Sequence, residues 1–174
     1  MIYIITGIMA SGKTTIAQML AETFEKSVHL HGDVFRKMIV NGRIEMSENA
    51  SSEAFEQLRM RYRLAANAAI EYHKCGFTVV LQDNYLGKML SELLEMLDDY
   101  PTQVIALCPD IETVQKREAA RNKTGYHDFA VSGLYHMFMT ETPRVGWWID
   151  TTKLSAKDTI KEIESKIANM SKEG

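Results

Sequence analysis

Residues 7–14 read Gly7-Ile8-Met9-Ala10-Ser11-Gly12-Lys13-Thr14, which fits the pattern G-x-x-x-x-G-K-[ST] in full. With the chain's own composition, chance would produce about 0.005 matches of this kind. The context agrees, because the β-branched run Ile2–Thr6 precedes the pattern and an amphipathic helix predicted over Thr14–Glu25 follows it. These residues therefore predict a phosphate-binding loop between a strand and a helix. The alternative, a Gly-rich turn with an ordinary surface lysine, is disfavoured by this context.

The positions of the loop have separate chemical reasons. Gly7 and Gly12 permit backbone conformations and close approaches that a Cβ would obstruct. The loop N–H groups then converge on phosphate oxygens, and the helix that follows adds its positive end. Lys13 supplies a charge for the β- and γ-phosphates, and Thr14 supplies a hydroxyl for Mg²⁺. The predicted nucleotide contacts within this segment are Gly7, Ala10, Ser11, Gly12, Lys13, Thr14 and Thr15.

Strand-like and helix-like segments alternate along the rest of the chain, which predicts an α/β domain with a parallel sheet. The predicted strands are Ile2–Thr6, Val28–Gly32, Phe77–Leu81, Gln103–Leu107 and Trp147–Asp150. The predicted helices cover Thr14–Glu25, Val34–Val40, Ser51–Lys74, the leucines from Leu90 to Leu97, Ile111–Arg121, Phe129–Thr140 and Ser155–Met170. No linker or repeat separates these segments, so residues 1–174 are expected to form a single domain.

Composition narrows the possible classes of protein. The chain has 174 residues, of which 45% are hydrophobic and 25% are charged, with a formal net charge of −3. These values disfavour disorder and a strongly basic nucleic-acid binder, although a local basic patch stays open. Cys75 and Cys108 are too few for a disulfide framework or a zinc ribbon. The segment Met1–Thr6 predicts a strand rather than a signal peptide, and no apolar run reaches about 20 residues, so we expect a cytoplasmic protein.

Two carboxylates follow predicted strands. Asp33 comes after the second strand and Asp83 after the third, and ligands of open parallel sheets bind beyond the carboxyl ends of the strands. Asp33 is a candidate to accept a proton from a hydroxyl, and it is also a candidate N-cap of the next helix. Asp83 resembles a Walker B carboxylate that would hold Mg²⁺ directly or through water. The alternative for Asp83 is a cap of the following turn.

Nearby polar residues are candidates for contact with a phosphoryl acceptor. Asn84 and Tyr85 lie just beyond the third strand and would line the acceptor site, although both could equally be turn residues. Arg36 is a further candidate on the helix after Asp33. His31 is a weaker acid–base candidate, and a structural role at the strand edge is equally open.

Arginines in the second half of the chain suggest a lid. Arg117 and Arg121 are four residues apart and share one helix face. Their permanently charged, planar groups suit a γ-phosphoryl group and can stack on a base. The polar segment after Arg121 has the composition of a mobile lid, predicted over residues 117–140. The alternative is an exposed helix in which Glu112 and Glu118 form ion pairs.

The long helix predicted over Ser51–Lys74 is expected to belong to an acceptor-binding region at residues 34–75. Its apolar stripe is predicted to consist of Phe55, Leu58, Tyr62, Ala65, Ala69 and Tyr72. A solvated basic face is expected from Arg59, Arg61 and Arg63.

Taken together, these motifs resemble those of the P-loop small-molecule kinases. The similarity is greatest to the chloramphenicol phosphotransferase-like group, with adenylylsulfate kinases, gluconate kinases and zeta-toxin-like kinases as relatives. The matching stretches are Gly7–Thr15, His31–Asp33, Leu81–Asp83, Arg117–Arg121, Glu141–Arg144 and Trp147–Thr152. The resemblance implies a three-layer α/β/α P-loop NTPase fold with a five-stranded parallel sheet in the order 2-3-1-4-5, and a helical lid after the fourth strand.

The resemblance also implies functions for individual residues. ATP would be the donor, with Mg²⁺ as its metal. Asp33 would act as the base that prepares an acceptor hydroxyl, and Arg117 and Arg121 would contact the phosphates. Residues Thr151–Lys153 would border the adenine. The region from Val34 to Tyr72 matches no one relative, so the acceptor is not named by the resemblance.

The resulting hypothesis is a kinase that uses ATP and Mg²⁺ to phosphorylate a hydroxyl of a small molecule, such as an antibiotic, a sugar acid or a nucleoside. It would act as a monomer or homodimer, without a nucleic-acid or membrane partner. Two alternatives stay open. One is a nucleotide-binding regulatory protein that hydrolyses its nucleotide slowly, and the other is a nucleic-acid end kinase, which the net charge disfavours.

Overall fold

The computed structural model describes residues 1–120 and 130–173 of the chain. These residues form a five-stranded sheet in the order β2-β3-β1-β4-β5, in which every neighbouring pair is parallel. The strands are β1 (Ile2–Thr6), β2 (Ser27–His31), β3 (Thr78–Gln82), β4 (Thr102–Leu107) and β5 (Trp147–Ile149). The predicted α/β class, the parallel sheet and its order are confirmed.

Helices connect the strands and cover both faces of the sheet. They are α1 (Lys13–Glu22), α2 (Asp33–Lys37), α3 (Ser52–Lys74), α4 (Lys88–Met96), α5 (Ile111–Ala119), α6 (Val131–Glu141) and α7 (Ala156–Glu173). The predicted helices are present with small shifts at their ends. The largest shifts are at the C-terminal ends of three helices: α1 ends at Glu22 rather than Glu25, α2 at Lys37 rather than Val40, and α7 at Glu173 rather than Met170.

Successive side chains of β1 pack on opposite faces of the sheet and so divide the core between the two faces. Ile2 and Ile4 pack with α3 and α4, whereas Tyr3 and Ile5 pack with α1 and α7. Both faces are apolar at the centre of the sheet because helices cover both sides, so β1 is buried at every position, whereas the edge strand β2 is only partly buried. A third apolar cluster joins the end of β4 to α5 and α6. This arrangement leaves the carboxyl edge of the sheet for the loops that follow the strands.

The buried face of α3 agrees with the prediction at four of its six stripe residues, since Leu58, Tyr62, Ala65 and Ala69 are buried. Ser51 caps the helix, because its hydroxyl accepts a hydrogen bond from the Ala54 N–H at 3.2 Å. Phe55 and Tyr72, predicted on the apolar stripe, are 37% and 41% exposed. Arg61, predicted on a solvated face, is only 8% exposed. The buried side includes Ala54, Ala65, Ala66 and Ala69, small residues that let α3 approach the sheet closely.

One group of sequence predictions falls on residues that the structure does not describe, and another concerns membrane-spanning helices. Arg121 and the loop predicted over Asn122–Asp128 are outside the described residues. Within the described part of the chain, none of the helices combines the length and apolar character that a membrane crossing requires.

Candidate nucleotide and acceptor site

The loop between β1 and α1 is tightly curled. Gly7, Ala10 and Gly12 all have positive φ angles, of 148°, 62° and 98°. A Cβ on Gly7 would lie 2.7 Å from the carbonyl oxygen of Leu107, so only glycine fits against the end of β4. A backbone of this kind turns successive N–H groups toward a common point, which is how proteins form anion-binding concavities. The geometry therefore fits the phosphate-binding loop predicted from residues 7–14.

The polar side chains of the loop stand at the start of α1. The residue Lys13 is 8% exposed, and its ammonium group donates a hydrogen bond to the Ile8 carbonyl at 2.8 Å. Thr14 and Thr15 are exposed in the first turn, where the helix dipole favours negative charge. The hydroxyl of Ser11 is buried without a hydrogen-bond partner among the described residues. The loop thus carries donors that a phosphate would satisfy.

A cavity of about 340 Å³ lies beside the loop. Its size falls within the usual range for small-ligand pockets. It is formed by the loop, α1, α5 and the segment from β5 into α7, and its lining residues are Ser11, Gly12, Thr15, Ile16, Arg117, Thr151, Leu154, Ser155, Ala156 and Thr159. Thr151 comes from the segment that the resemblance assigned to the adenine, and its hydroxyl is buried without a partner among the described residues.

Arg117 bridges two walls of this cavity. Its Nη2 donates to the Thr151 carbonyl at 3.0 Å, and its Nη1 donates to the Ser11 carbonyl at 3.4 Å. These contacts place the guanidinium group over the phosphate loop. Its predicted interaction with the γ-phosphoryl group stays a prediction, and Arg121 cannot be placed because it lies outside the described residues.

Asp33 and Asp83 are brought together with the loop at the carboxyl edge of the sheet. β2 and β3 pair in register to their last residues, and the Gly32 N–H then donates to the Gln82 carbonyl at 3.0 Å. Each carboxylate follows directly after this junction. A Cβ on Gly32 would collide with the carboxylate of Asp83, so the segment before Asp33 is packed against Asp83.

The carboxylate of Asp33 is held by basic residues of α2. Arg36 Nε lies 2.5 Å from Asp33 Oδ1, and Lys37 Nζ lies 2.8 Å from Oδ2. Burial alone would raise the pKa of Asp33, but the hydrogen bonds and charges of Arg36 and Lys37 hold this pKa far below its usual range. Arg36 also contacts Glu45 at 2.5 Å. Asp33 makes no capping bond to α2, whose N-cap is Gly32, so the cap interpretation of Asp33 is wrong.

One carboxylate oxygen of Asp83 accepts a hydrogen bond, and the other accepts none from the described residues. Its Oδ1 accepts a hydrogen bond from the Asn84 N–H at 2.7 Å, whereas Oδ2 is buried and has no hydrogen-bond partner among the described residues. No group of three or more His, Cys, Asp or Glu residues in the described ranges could hold a metal ion by itself. Mg²⁺ commonly binds through one or two protein oxygens together with water and phosphates. The Thr14 hydroxyl and the Asp83 carboxylate fit a metal of that kind.

Asn84 and Tyr85 differ in position. The Asn84 side chain is half-buried, and its Nδ2 donates to the sulfur of Met9 in the phosphate loop at 3.2 Å. Tyr85 is fully buried, and its ring lies 4.7 Å from that of Tyr62. The Tyr85 ring thus belongs to the core, its hydroxyl has no hydrogen-bond partner among the described residues, and its contact with an acceptor stays a prediction.

Arg61 is the site residue that sequence reasoning missed. Its Nη2 lies 3.8 Å from Asp83 Oδ2, and the Nε is buried without a partner among the described residues. A signal was present in the sequence, because Ala54, Leu58, Arg61 and Ala65 are spaced by four, three and four residues. That spacing places Arg61 on the buried stripe of a helix.

Comparisons with known proteins agree with this geometry. The profile of AAA_33, described as an AAA domain, matches residues 2–142. A comparison with curated proteins finds no match.

Solved structures of similar fold include several kinases and a resistance protein. A sugar kinase from Janibacter sp. HTCC2649 has a TM-score of 0.67 at 18% identity, with 94% of this chain and 92% of that chain covered. The tunicamycin resistance protein of Deinococcus radiodurans has a TM-score of 0.68 at 15% identity, with 95% and 94% covered. A gluconokinase from Sinorhizobium meliloti 1021 has a TM-score of 0.65 at 14% identity, with 98% and 93% covered. At these identities the likeness shows a shared fold.

Proposed function

Because the chain belongs to AAA_33, a family of AAA domains, and has the fold of a P-loop protein, we propose that it is a kinase dependent on ATP and Mg²⁺. It transfers the γ-phosphoryl group to a hydroxyl of a small molecule. The kinases among the solved structures of similar fold support a kinase-type enzyme. The acceptor is proposed to be an antibiotic-, sugar-acid- or nucleoside-like molecule, and the enzyme to act in the cytoplasm as a monomer or homodimer.

One observation carries this proposal. A complete phosphate-binding loop lies at the same edge of the sheet as two carboxylates, Asp33 and Asp83, that follow adjacent parallel strands. Phosphoryl transfer is catalysed mainly by positioning and by electrostatic stabilisation. The carboxyl edge of the sheet supplies cationic groups, backbone donors and two carboxylate acceptors, which are the groups that this reaction needs.

The nucleotide would occupy the cavity between the loop and the segment after β5. Lys13 and the backbone of residues 7–14 bind the phosphates, and Arg117 covers them from α5. Thr14 and Asp83 would hold Mg²⁺, whose charge neutralises the phosphate oxygens when it is bound. Lys13 and Arg117 would stabilise the charge on the transferred group.

Asp33 acts on the acceptor hydroxyl in this proposal. Its carboxylate accepts the hydroxyl hydrogen bond and so directs an oxygen lone pair toward the γ-phosphorus. Since Arg36 and Lys37 hold the pKa of Asp33 low, the carboxylate is a weak base, and it receives the proton late in the transfer. A late proton transfer suits a loose transition state in which bond formation to the acceptor is limited.

The test is transfer of label from γ-labelled ATP with Mg²⁺ across pooled sugars, sugar acids, nucleosides, nucleotides, aminoglycosides and phenicols. The Lys13→Ala variant is measured beside the unaltered protein. A labelled product that this variant fails to make would support the kinase and would name the acceptor class. Nucleotide binding with only slow hydrolysis in every pool would favour a regulatory protein, and labelled oligonucleotide ends would favour a nucleic-acid kinase.

A further inference from the structure

Arg61 is a buried cation without a hydrogen bond. It projects from the middle of α3, and the residue is 8% exposed. Within residues 1–120 and 130–173, no atom accepts a hydrogen bond from its guanidinium group, and Nε is fully enclosed. The one carboxylate within 4.0 Å in these ranges is that of Asp83, at 3.8 Å from Nη2. This distance is too long for a hydrogen bond.

A charge in this position is costly as it stands. Burial of an ionised group costs free energy unless the group is both paired and hydrogen-bonded. A guanidinium group carries five N–H donors in a planar arrangement that matches the two oxygens of a carboxylate or phosphate. The Oδ2 atom of Asp83 is likewise buried without a hydrogen bond from the described residues. The pair is therefore incomplete, and an additional group is needed to use the donors of Arg61.

The residues around Arg61 place its N–H donors on the side of Asp33, where the acceptor is proposed to bind, rather than at the nucleotide cavity. Asp83 packs against Gly32, and Gly32 immediately precedes Asp33 in the chain. Tyr62, the neighbour of Arg61 on α3, donates to the Asn84 carbonyl at 2.9 Å and fixes the helix to the segment after β3. The nucleotide cavity, in contrast, is lined from α1, α5 and the segment leading into α7, without any residue of α3.

Among the described residues at the carboxyl edge of the sheet, Arg61 has no negative charge left to pair with once Asp83 is assigned to Mg²⁺. Asp33 already has two cationic partners, Arg36 and Lys37. Asp83 is the remaining counter-charge for Arg61, and the proposed function assigns Asp83 to Mg²⁺. A negatively charged group on the acceptor would supply both the missing charge and the missing hydrogen-bond acceptors.

We propose that the guanidinium group of Arg61, buried next to Asp83 without a hydrogen bond to the described residues, binds a carboxylate or phosphate group of the acceptor. The acceptor is therefore an anionic small molecule with a hydroxyl, such as a sugar acid or a phosphorylated metabolite. This inference rests on the proposed function and narrows its acceptor to one chemical class.

A binding measurement tests the inference without a known acceptor. The protein is saturated with Mg²⁺ and a non-hydrolysable ATP analogue, so that the phosphate loop is filled. Thermal unfolding is then followed during titration with acetate and, separately, with inorganic phosphate, with sodium chloride holding the ionic strength constant. Non-specific stabilisation by phosphate is the same in every variant, so the difference between variants is the readout.

Three variants give the comparison. Arg61→Met keeps the length of the side chain and removes the donors, Arg61→Lys keeps the charge and loses the planar donor set, and Arg63→Met changes an exposed arginine of the same helix. We expect saturable stabilisation by at least one anion in the unaltered protein and in Arg63→Met. The affinity for that anion should fall at least about tenfold in Arg61→Met, with Arg61→Lys between them. Preference for acetate or phosphate identifies the anionic group.

Two results would overturn the inference while leaving the proposed function intact. One is that the unaltered protein binds the ATP analogue but is stabilised by acetate and by phosphate no more than Arg61→Met is. The other is a neutral acceptor that is phosphorylated with the same kcat/KM by the unaltered protein and by Arg61→Met. Failure to bind the analogue at all would instead contradict the proposed function, on which this inference depends.

Discussion

The carboxylate of Asp83 occupies the space that a side chain on Gly32 would need. Gly32 joins β2 to Asp33, so the segment that leads to Asp33 is packed directly against Asp83. We expect Gly32→Ala to displace Asp83, to reduce the free energy of unfolding by about 1–3 kcal/mol, and to lower phosphate transfer. Urea unfolding and a transfer assay would measure both effects.

The matched control for this substitution is Gly133→Ala in α6. A Cβ on Gly133 would meet no atom within 4 Å, and the residue lies inside a helix. Alanine there should stabilise the protein by up to about 1 kcal/mol and leave transfer unchanged. Equal stability of Gly32→Ala and the unaltered protein would show that the junction is not rigidly packed.

Lys13→Ala should abolish most of the activity. The ammonium group is held inside the loop by its bond to Ile8, where it can neutralise phosphate charge in the transition state. We expect turnover to fall at least about 10³-fold, the scale of single charge-stabilising groups. Steady-state kinetics with Lys88→Ala, an exposed lysine on α4, as the control would test this, and a loss below tenfold in Lys13→Ala would contradict it.

Asp33→Asn should separate nucleotide binding from transfer. The side chain contacts Arg36 and Lys37 and none of the residues that line the nucleotide cavity. We therefore expect the Kd for ATP to be unchanged and kcat to fall by about 10²–10⁴-fold, the range for general acid–base groups. Calorimetric titration and single-turnover kinetics would distinguish the two. Normal turnover would remove Asp33 from the mechanism.

The stability contributed by Asp33 should depend on pH. Burial opposes ionisation, but the hydrogen bonds from Arg36 and Lys37 outweigh it and lower the pKa of Asp33 in the folded protein. A carboxyl group with a lowered pKa stabilises the fold above its unfolded pKa of about 3.9, and loses this effect as the pH falls toward the folded value. The unaltered protein should exceed Asp33→Asn by about 1 kcal/mol at neutral pH.

Urea unfolding of both proteins at several pH values would check this sign. The difference in the free energy of unfolding should shrink as the pH falls below about 4. A difference that is constant down to about pH 3 would mean that folding does not lower the pKa of Asp33.

Arg117→Ala should act first on nucleotide affinity. The guanidinium group joins Ser11 to Thr151 across the cavity, so its loss opens the wall of the nucleotide site. We expect the KM for ATP to rise about tenfold, as for loss of one charge-assisted contact, and kcat to fall as well, because Arg117 is also proposed to stabilise the charge on the transferred group. Lys116→Ala, which removes an exposed cation of the same helix, is the control. A large fall in kcat with no change in KM would favour a purely transition-state function for Arg117.

Sequence reasoning was most successful where the signal is local. The phosphate loop follows from eight consecutive residues, and its positive φ angles at Gly7 and Gly12 are those that the glycines allow. The order of the sheet followed from the resemblance and was confirmed. Asp33 and Asp83 could be placed at one edge because parallel strands bring their carboxyl ends together.

On α3 the predicted stripe is confirmed at Leu58, Tyr62, Ala65 and Ala69 and is wrong at its two ends and at Arg61. Phe55 and Tyr72 were assigned to the buried stripe because they are apolar, and Arg61 was assigned to solvent because it is charged. Burial in α3 follows its close packing on the sheet, which includes the predicted Ala65 and Ala69 and also encloses Arg61, whereas Phe55 and Tyr72 lie beyond this contact. Tyr85 likewise turns into the core against Tyr62, which no local pattern indicates.

The sequence by itself determined the alternation of strands and helices and the phosphate loop, because both depend on residues close together in the chain. The tertiary structure alone decided which charges meet. Arg61 and Asp83 are 22 positions apart, and Arg117 contacts Thr151 across 34 positions. Such pairs form only when helices have docked on the sheet at a fixed rotation, because a shift of one residue turns a helical side chain by about 100° and moves its charge to another face.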